Sequence, residues 1–278
     1  MTTNTAQALT AIPGTILLAG AGKMGGAMLT GWLNAGVALS RIAVVEPYLS
    51  DDLRKLTALD LRINPTPDEA GPLAALVVAV KPQTFGEAAP LLKSFTSPAT
   101  LVLSIMAGVT IAKITDGCGG AVVRSMPNTP AAIGRAMTVA AAAPSVSAGQ
   151  RAFADALLSA IGAVDWVDDE DLMDAVTAVS GSGPAYIFLL AEELARAGVA
   201  AGLPAELARR IARETVSGAA ELLHRSDQDA ATLRKNVTSP GGTTAAALDV
   251  LMGEGGLQQL MTRAIAAATK RSKELAGG

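Results

Sequence analysis

Short apolar runs of Val, Ile, Leu and Ala recur at Thr15–Ala19 and at residues 41–45, 75–80, 100–105, 121–124 and 137–142. Runs apolar on both faces suit parallel strands covered by helices above and below. Between them, residues 24–35 and 84–92 place apolar side chains at helical spacing. Such alternation predicts an α/β doubly wound sheet, to which 163–167 adds one further strand. After Asp168 the strand signal stops. Pro204 stands where a first helical turn tolerates it, and Leu207, Ile211, Thr215, Gly218 and Leu222 follow at helical steps. Leu257, Leu260, Met261, Ala264, Ile265, Ala268 and Leu275 repeat that period, and Gly253, Gly255 and Gly256 part this last helix from one over 244–252. The reading is an α/β domain at 1–168 followed by an all-helical domain at 169–278.

Composition narrows the chemistry. The chain has 278 residues, 22 Lys and Arg against 25 Asp and Glu, and only 17% charged residues. That near-neutral balance leaves no electrostatic footprint for nucleic acid and no polybasic segment for a membrane surface. One cysteine, Cys118, excludes an intrachain disulfide, and with one histidine, His224, it makes a poor zinc site. No metal is expected. Met1 to Pro13 carries no basic residue and reads as a lead-in to the first strand rather than a secretory signal. The longest apolar runs fall short of the roughly 20 residues of a membrane span, so cytoplasm is the default.

Chemistry concentrates at the predicted strand ends. Gly20-Ala21-Gly22-Lys23-Met24-Gly25 fits G-x-G-x-x-G directly after a strand. Gly20 would permit a tight turn, Gly22 backbone approach to a pyrophosphate, and Gly25 close packing of helix on sheet. The helix opening near Lys23 would aim unpaired N–H groups at phosphates. A plain strand–helix turn is the alternative. The next strand ends at Glu46, whose carboxylate suits ribose hydroxyls and so NADH; a solvated strand end is the other reading, and Arg41, Arg54 and Lys55 lie near enough in sequence to receive a 2′-phosphate. Lys81-Pro82 and Met106-Ala107-Gly108 follow further strands, where ligands of doubly wound sheets sit. Position alone leaves Lys81 open between ligand contact and solvated charge, and Asn128, in Met126-Pro127-Asn128-Thr129-Pro130, between cofactor contact and structural turn.

Two segments of the second half stand out. Val179-Ser180-Gly181-Ser182-Gly183-Pro184-Ala185-Tyr186 interrupts a helical run, and Ser239-Pro240-Gly241-Gly242-Thr243-Thr244 opens another helix. The latter offers backbone donors and hydroxyls that suit a carboxylate, although a kink or a cap explains either segment as well. Taken with Ala79-Val80-Lys81-Pro82, Ala107-Gly108-Val109-Thr110 and Asn128-Thr129-Pro130, these motifs resemble the pyrroline-5-carboxylate reductase family, in order, from about Thr15 to Leu275.

The resemblance implies a Rossmann domain and a helical domain that forms an intertwined homodimer, with further assembly often to a decamer. It implies reduction of L-1-pyrroline-5-carboxylate to L-proline with NADPH or NADH, the last step of proline biosynthesis. The loop Gly20 to Gly25 and Ala79, Val80, Lys81 and Pro82 would hold the cofactor, joined by Glu46, Ala107, Gly108 and Asn128. Ser180, Gly181, Ser239, Gly241, Gly242, Thr243 and Thr244 would hold the substrate, with Thr244 at the family's hydroxyl position near the ring nitrogen. Glu46 departs from relatives with a small hydroxyl or basic residue there. A ring already protonated on nitrogen needs little side-chain catalysis, and Thr244 is the one catalytic candidate. His224 reads instead as a helix end and Cys118 as an unreactive loop residue. The competing enzyme readings are another imine reductase or a β-hydroxyacid dehydrogenase, the latter opposed by the lack of a lysine near Gly181–Pro184; a non-catalytic dinucleotide sensor is the competing binding module.

Overall fold

The computed structural model describes residues 9 and 14–276; the lead-in expected at Met1 to Pro13 therefore lies almost wholly outside the described residues. The chain divides into two compact units. The first runs to Gly181 and takes in the segment from Thr269 onward; the second is Ser182–Ala268.

The first unit is built on an eight-stranded sheet: β1 Thr15–Ala19, β2 Ile42–Val45, β3 Arg62–Ile63, β4 Leu73–Val78, β5 Leu101–Ser104, β6 Ala121–Met126, β7 Ala136–Ala142 and β8 Gly162–Val167. Their order is β3-β2-β1-β4-β5-β6-β7-β8. The first six run parallel in the Rossmann order, with the topological switch between β1 and β4. Not every strand is parallel, as the apolar runs had implied: β7 pairs antiparallel with β6. The connection between them is one short turn, Thr129–Ile133, and a parallel crossover needs a dozen or more residues.

Side chains alternate across the sheet into two cores. Ile16, Leu18, Val44, Val77 and Leu103 face α1 (Lys23–Asn34) and α6 (Ala148–Ser159), where Met28, Trp32 and Leu157 are buried. Leu17, Ala43, Leu76, Val78 and Val102 face α4 (Phe85–Lys93) and α5 (Ile111–Cys118), with Phe85, Leu92 and Ile114. Between these fall the short helices α2 (Asp51–Thr57) and α3 (Pro67–Ala70). Polar caps start the helices where the sequence turns out of a strand: Thr110 accepts Lys113 N–H, and Ser147 forms a capping box with Gln150. The unit ends with α7 (Met173–Val176) and a wide π-helical turn, Thr177–Gly181.

The second unit holds α8 (Gly183–Ala200), α9 (Ala205–Arg225), α10 (Ala230–Asn236), α11 (Thr243–Leu251) and most of α12 (Leu257–Ala276). α8 and α9 pack as a hairpin through small residues: Ala195, Ala208 and Ala212 are buried, and a Cβ on Gly198 would lie 3.3 Å from Ala208 Cβ. Large apolar side chains remain uncovered, among them Phe188 (68% exposed), Leu190 (50%), Val250 (76%) and Met252 (59%). Among the described residues no helix is long and apolar enough to cross a membrane.

Candidate functional site

The carboxyl ends of β1, β2, β4, β5 and β6 share one edge of the parallel sheet, and the glycine loop lies at its switch point. Gly20 has φ +91°, and a Cβ there would stand 2.7 Å from the Ala79 carbonyl oxygen; Ala79 N–H in turn bonds the Ala19 carbonyl at 2.7 Å. A Cβ on Gly25 would lie 2.1 Å from the Gly20 oxygen and 3.2 Å from Ala79 Cβ. Gly20, Gly25 and Ala79 are thus brought into one tight joint that only glycine allows at two positions. Gly22 differs. A Cβ there would meet nothing within 4 Å, so packing within the protein does not require glycine.

Gly22 is the N-cap of α1, and no side chain caps it. The N–H groups of Lys23, Met24 and Gly25 thus begin a helix of 12 residues and point toward the space above Gly22. Ala21 N–H is instead held by Glu46 Oε2 at 2.8 Å, while Glu46 Oε1 accepts Tyr48 N–H at 3.1 Å. Asn64 clamps the Glu46 backbone on both sides, accepting its N–H at 2.8 Å and donating to its carbonyl at 3.0 Å. Asn64 (φ +48°) went unnoticed in sequence because β3, which precedes it, is two residues long. Of the cations near Glu46 in sequence, Arg41 donates to the carbonyls of Leu9 and of Gly14, which precedes β1, and Lys55 pairs with Asp52 at 2.8 Å.

Lys81 and Pro82 are exposed beyond β4, and Val80 is half-buried. Ala107 and Gly108 (φ +70°) follow β5, and Thr110 there caps α5. Glu170 ties this corner to β6: its Oε1 accepts Ile111 N–H and pairs with the buried Arg124, both at 2.8 Å. Glu170 thus finds its partner 46 residues earlier in the chain. Asn128 joins Ser180, with its Nδ2 3.2 Å from the Ser180 carbonyl and 3.3 Å from its Oγ, and its Oδ1 accepts Met137 N–H at 3.0 Å. A groove of about 540 Å³ runs along the flank of α1 past Lys23, Thr30 and Asn34.

In the second unit, Ser239 to Thr244 form the turn into α11. Gly241 has φ +70°, Gly242 N–H bonds the Ser239 carbonyl at 3.1 Å, and Gly242 is an N-cap without a side-chain cap. The first-turn N–H groups of Thr243 and Thr244 therefore stand beside two threonine hydroxyls, a donor set suited to a carboxylate. His224 is exposed in the last turn of α9. Cys118 is buried, and that burial raises its thiol to about 11 against a smaller opposing pull from Lys93, which leaves it unreactive at neutral pH. Among the described residues no three His, Cys, Asp or Glu side chains come together to hold a metal ion.

A family model for pyrroline-5-carboxylate reductase dimerisation matches residues 170–275, and one described as NADP oxidoreductase, coenzyme F420-dependent, matches residues 15–108. The pyrroline-5-carboxylate reductase of a Synechocystis species is 43% identical over 244 residues, 86% of this chain and 89% of that one. Among solved structures, a pyrroline-5-carboxylate reductase from Coxiella burnetii superposes with a TM-score of 0.87 at 35% identity, over 95% of this chain and 98% of its own. The Plasmodium falciparum pyrroline carboxylate reductase, solved with NADP bound, superposes at 0.76 and 28% identity, over 95% and 98%.

Proposed function

Because the chain belongs to the pyrroline-5-carboxylate reductase family, we propose that it reduces L-1-pyrroline-5-carboxylate to L-proline with NAD(P)H, the last step of proline biosynthesis. The observation that carries this reading is the family match over both units, each with an uncapped helix start built for an anion, at Gly22 and at Gly242.

The first unit fits a dinucleotide. The open space over Gly22 is what a Cβ would enter, while Gly20 and Gly25 are glycine for the protein's own packing. Gly20, Ala21, Gly22, Lys23, Met24 and Gly25 would hold the pyrophosphate and Glu46 the adenosine ribose; Ala79 to Pro82, Ala107 and Gly108 would flank the rest. NAD(P)H supplies the hydride when bound. The backbone donors of Thr243 and Thr244 and the Ser239 hydroxyl neutralise the substrate carboxylate against the Gly241-Gly242 turn, and the Thr244 hydroxyl hydrogen-bonds the ring nitrogen. Ser180 and Gly181 complete the substrate contacts. The imine carbon is made electrophilic by the substrate's own protonated nitrogen, so orientation supplies most of the rate.

Glu46 favours NADH over NADPH, because its two backbone hydrogen bonds keep the carboxylate from swinging clear of a 2′-phosphate. Glu46→Ser is expected to move the ratio of kcat/KM for NADPH to that for NADH upward by roughly 10-fold or more, since like charges so placed cost several kcal/mol. Side-by-side steady-state rates with both cofactors check it.

The chain forms a homo-oligomer through its helical unit, where Phe188, Leu190, Val250 and Met252 lack cover. Phe188→Asp is expected to yield monomer by sedimentation velocity at micromolar concentration, where the unaltered chain sediments as a dimer or a larger assembly. A decamer of five dimers is the larger assembly we infer, and the cytoplasm the compartment. The function itself is tested by following NADH and NADPH absorbance with and without pyrroline-5-carboxylate. Substrate-dependent oxidation is expected; no oxidation with either cofactor would overturn the assignment.

A further inference from the structure

Asn128 and the π-helical turn Thr177–Gly181 meet at a gap in the helical ladder. In an α-helix the Ser180 carbonyl would accept from the N–H four residues on, but that residue is Pro184, which has none. The next N–H, that of Ala185, bonds the Ser182 carbonyl at 3.0 Å. The Asn128 amide fills the gap from 52 residues away, with Nδ2 at 3.2 Å from the Ser180 carbonyl. The same Nδ2 lies 3.3 Å from Ser180 Oγ, and Oδ1 is taken by Met137 N–H at 3.0 Å. Asn128 is thereby committed on both sides of its amide. A Ser180 hydroxyl that accepts from an amide keeps its own hydrogen to donate elsewhere. Beside it, a Cβ on Gly181 would stand 2.5 Å from Met126 Cε, so the turn rests against the end of β6 at a second point. π-Helical turns of this kind recur at functional sites because the widened turn re-aims side chains and carbonyls.

We propose that Asn128 is a positioning residue for the reduction: its amide replaces the helical hydrogen bond that Pro184 removes, holds Thr177–Gly181 in the wide turn, and leaves the Ser180 hydroxyl as a donor to the bound substrate. This rests on the function proposed above. Asn128 acts through Ser180 and not on the cofactor.

The test compares Asn128→Asp, Ser180→Ala and the double variant with the unaltered chain. Asn128→Asp keeps the shape and the acceptor for Met137 while losing both donors. Each single variant is expected to lower kcat/KM for pyrroline-5-carboxylate by about 10- to 100-fold, the range that misplacing a contact produces. The NADH Kd, measured by calorimetry, is expected to stay within about twofold, and the double variant to fall no further than the worse single one. Retained kcat/KM in Asn128→Asp, a lowered Tm with unchanged kinetics, additive losses, or a NADH Kd weakened about 10-fold would each overturn the proposal. Should Asn128→Asp fail to fold, Ser180→Ala decides alone, because it leaves the carbonyl bond in place; full activity there refutes the role. An inactive unaltered chain would refute the function itself, whereas an active one with unaffected variants refutes only the part given to Asn128.

Discussion

Replacing Thr244 with alanine is expected to lower kcat/KM for pyrroline-5-carboxylate by about 10- to 1000-fold, with little change in NADH affinity. Thr244 stands in the first turn of α11, one residue beyond Thr243 and two beyond the uncapped Gly242. Alanine preserves the helix and its backbone donors, so the carboxylate contacts survive and only the hydroxyl at the ring nitrogen is lost. The loss therefore falls mainly on kcat. Thr244→Ser, which keeps the hydroxyl, is expected to recover most of the rate. Turnover unchanged in the alanine variant would remove Thr244 from the chemistry.

The glycine loop yields a second large effect, through the contrast between two glycines. Gly22→Val is expected to leave the fold intact, because a Cβ at that position meets nothing within 4 Å and its φ of −66° suits any residue. It fills the space over the α1 N-terminus and keeps a pyrophosphate from the backbone N–H groups. Losing two hydrogen bonds to a charged group, at about 1.5–3 kcal/mol each, weakens NADH binding by roughly 100-fold or more. Gly25→Ala behaves differently. Its Cβ would sit 2.1 Å from the Gly20 carbonyl oxygen, so α1 must shift off the sheet. Overpacking of that kind costs about 1–3 kcal/mol of stability. Thermal unfolding and calorimetric NADH titration separate the two: Gly22→Val loses affinity at unchanged Tm, and Gly25→Ala loses Tm.

How far the sequence carried can be read from particular elements. Thr15–Ala19 is legible to the residue, because a run apolar on both faces and ended by Gly20 leaves no other boundary. Residues 75–80 were read as one strand, but β4 ends at Val78. Ala79 and Val80 are apolar yet leave the ladder where Gly20 packs against them, a close approach that hydropathy does not encode. The direction of β7 was invisible for a related reason: composition marks a strand as buried without giving its sense, which the short turn after β6 decides. In the helical unit the period marked α9, α11 and α12 even where their apolar faces are uncovered, whereas the short α10, seven residues long, gave no reading.

Site residues divided along another line. Gly20, Gly22 and Gly25 announce themselves through spacing within a few residues. Glu46 was legible as a strand end, but not its anchoring by Ala21 and Tyr48 N–H groups, nor the Asn64 clamp behind it. The Arg124–Glu170 pair and the Asn128–Ser180 contact join residues 46 and 52 positions apart; Asn128 and Ser180 each stand in a motif legible in the sequence, but nothing local pairs either couple. Single-sequence reading finds chemistry carried by local backbone geometry and misses chemistry assembled by the fold.

The central claim is hydride transfer from the nicotinamide to the imine carbon of pyrroline-5-carboxylate, and isotope labelling tests it most directly. The chain is incubated with substrate and with NADH or NADPH deuterated at the transferring position, and the product is read by mass spectrometry and NMR. One deuterium on the δ carbon of L-proline is the predicted result. Proline without label, or no proline with either cofactor, would contradict it.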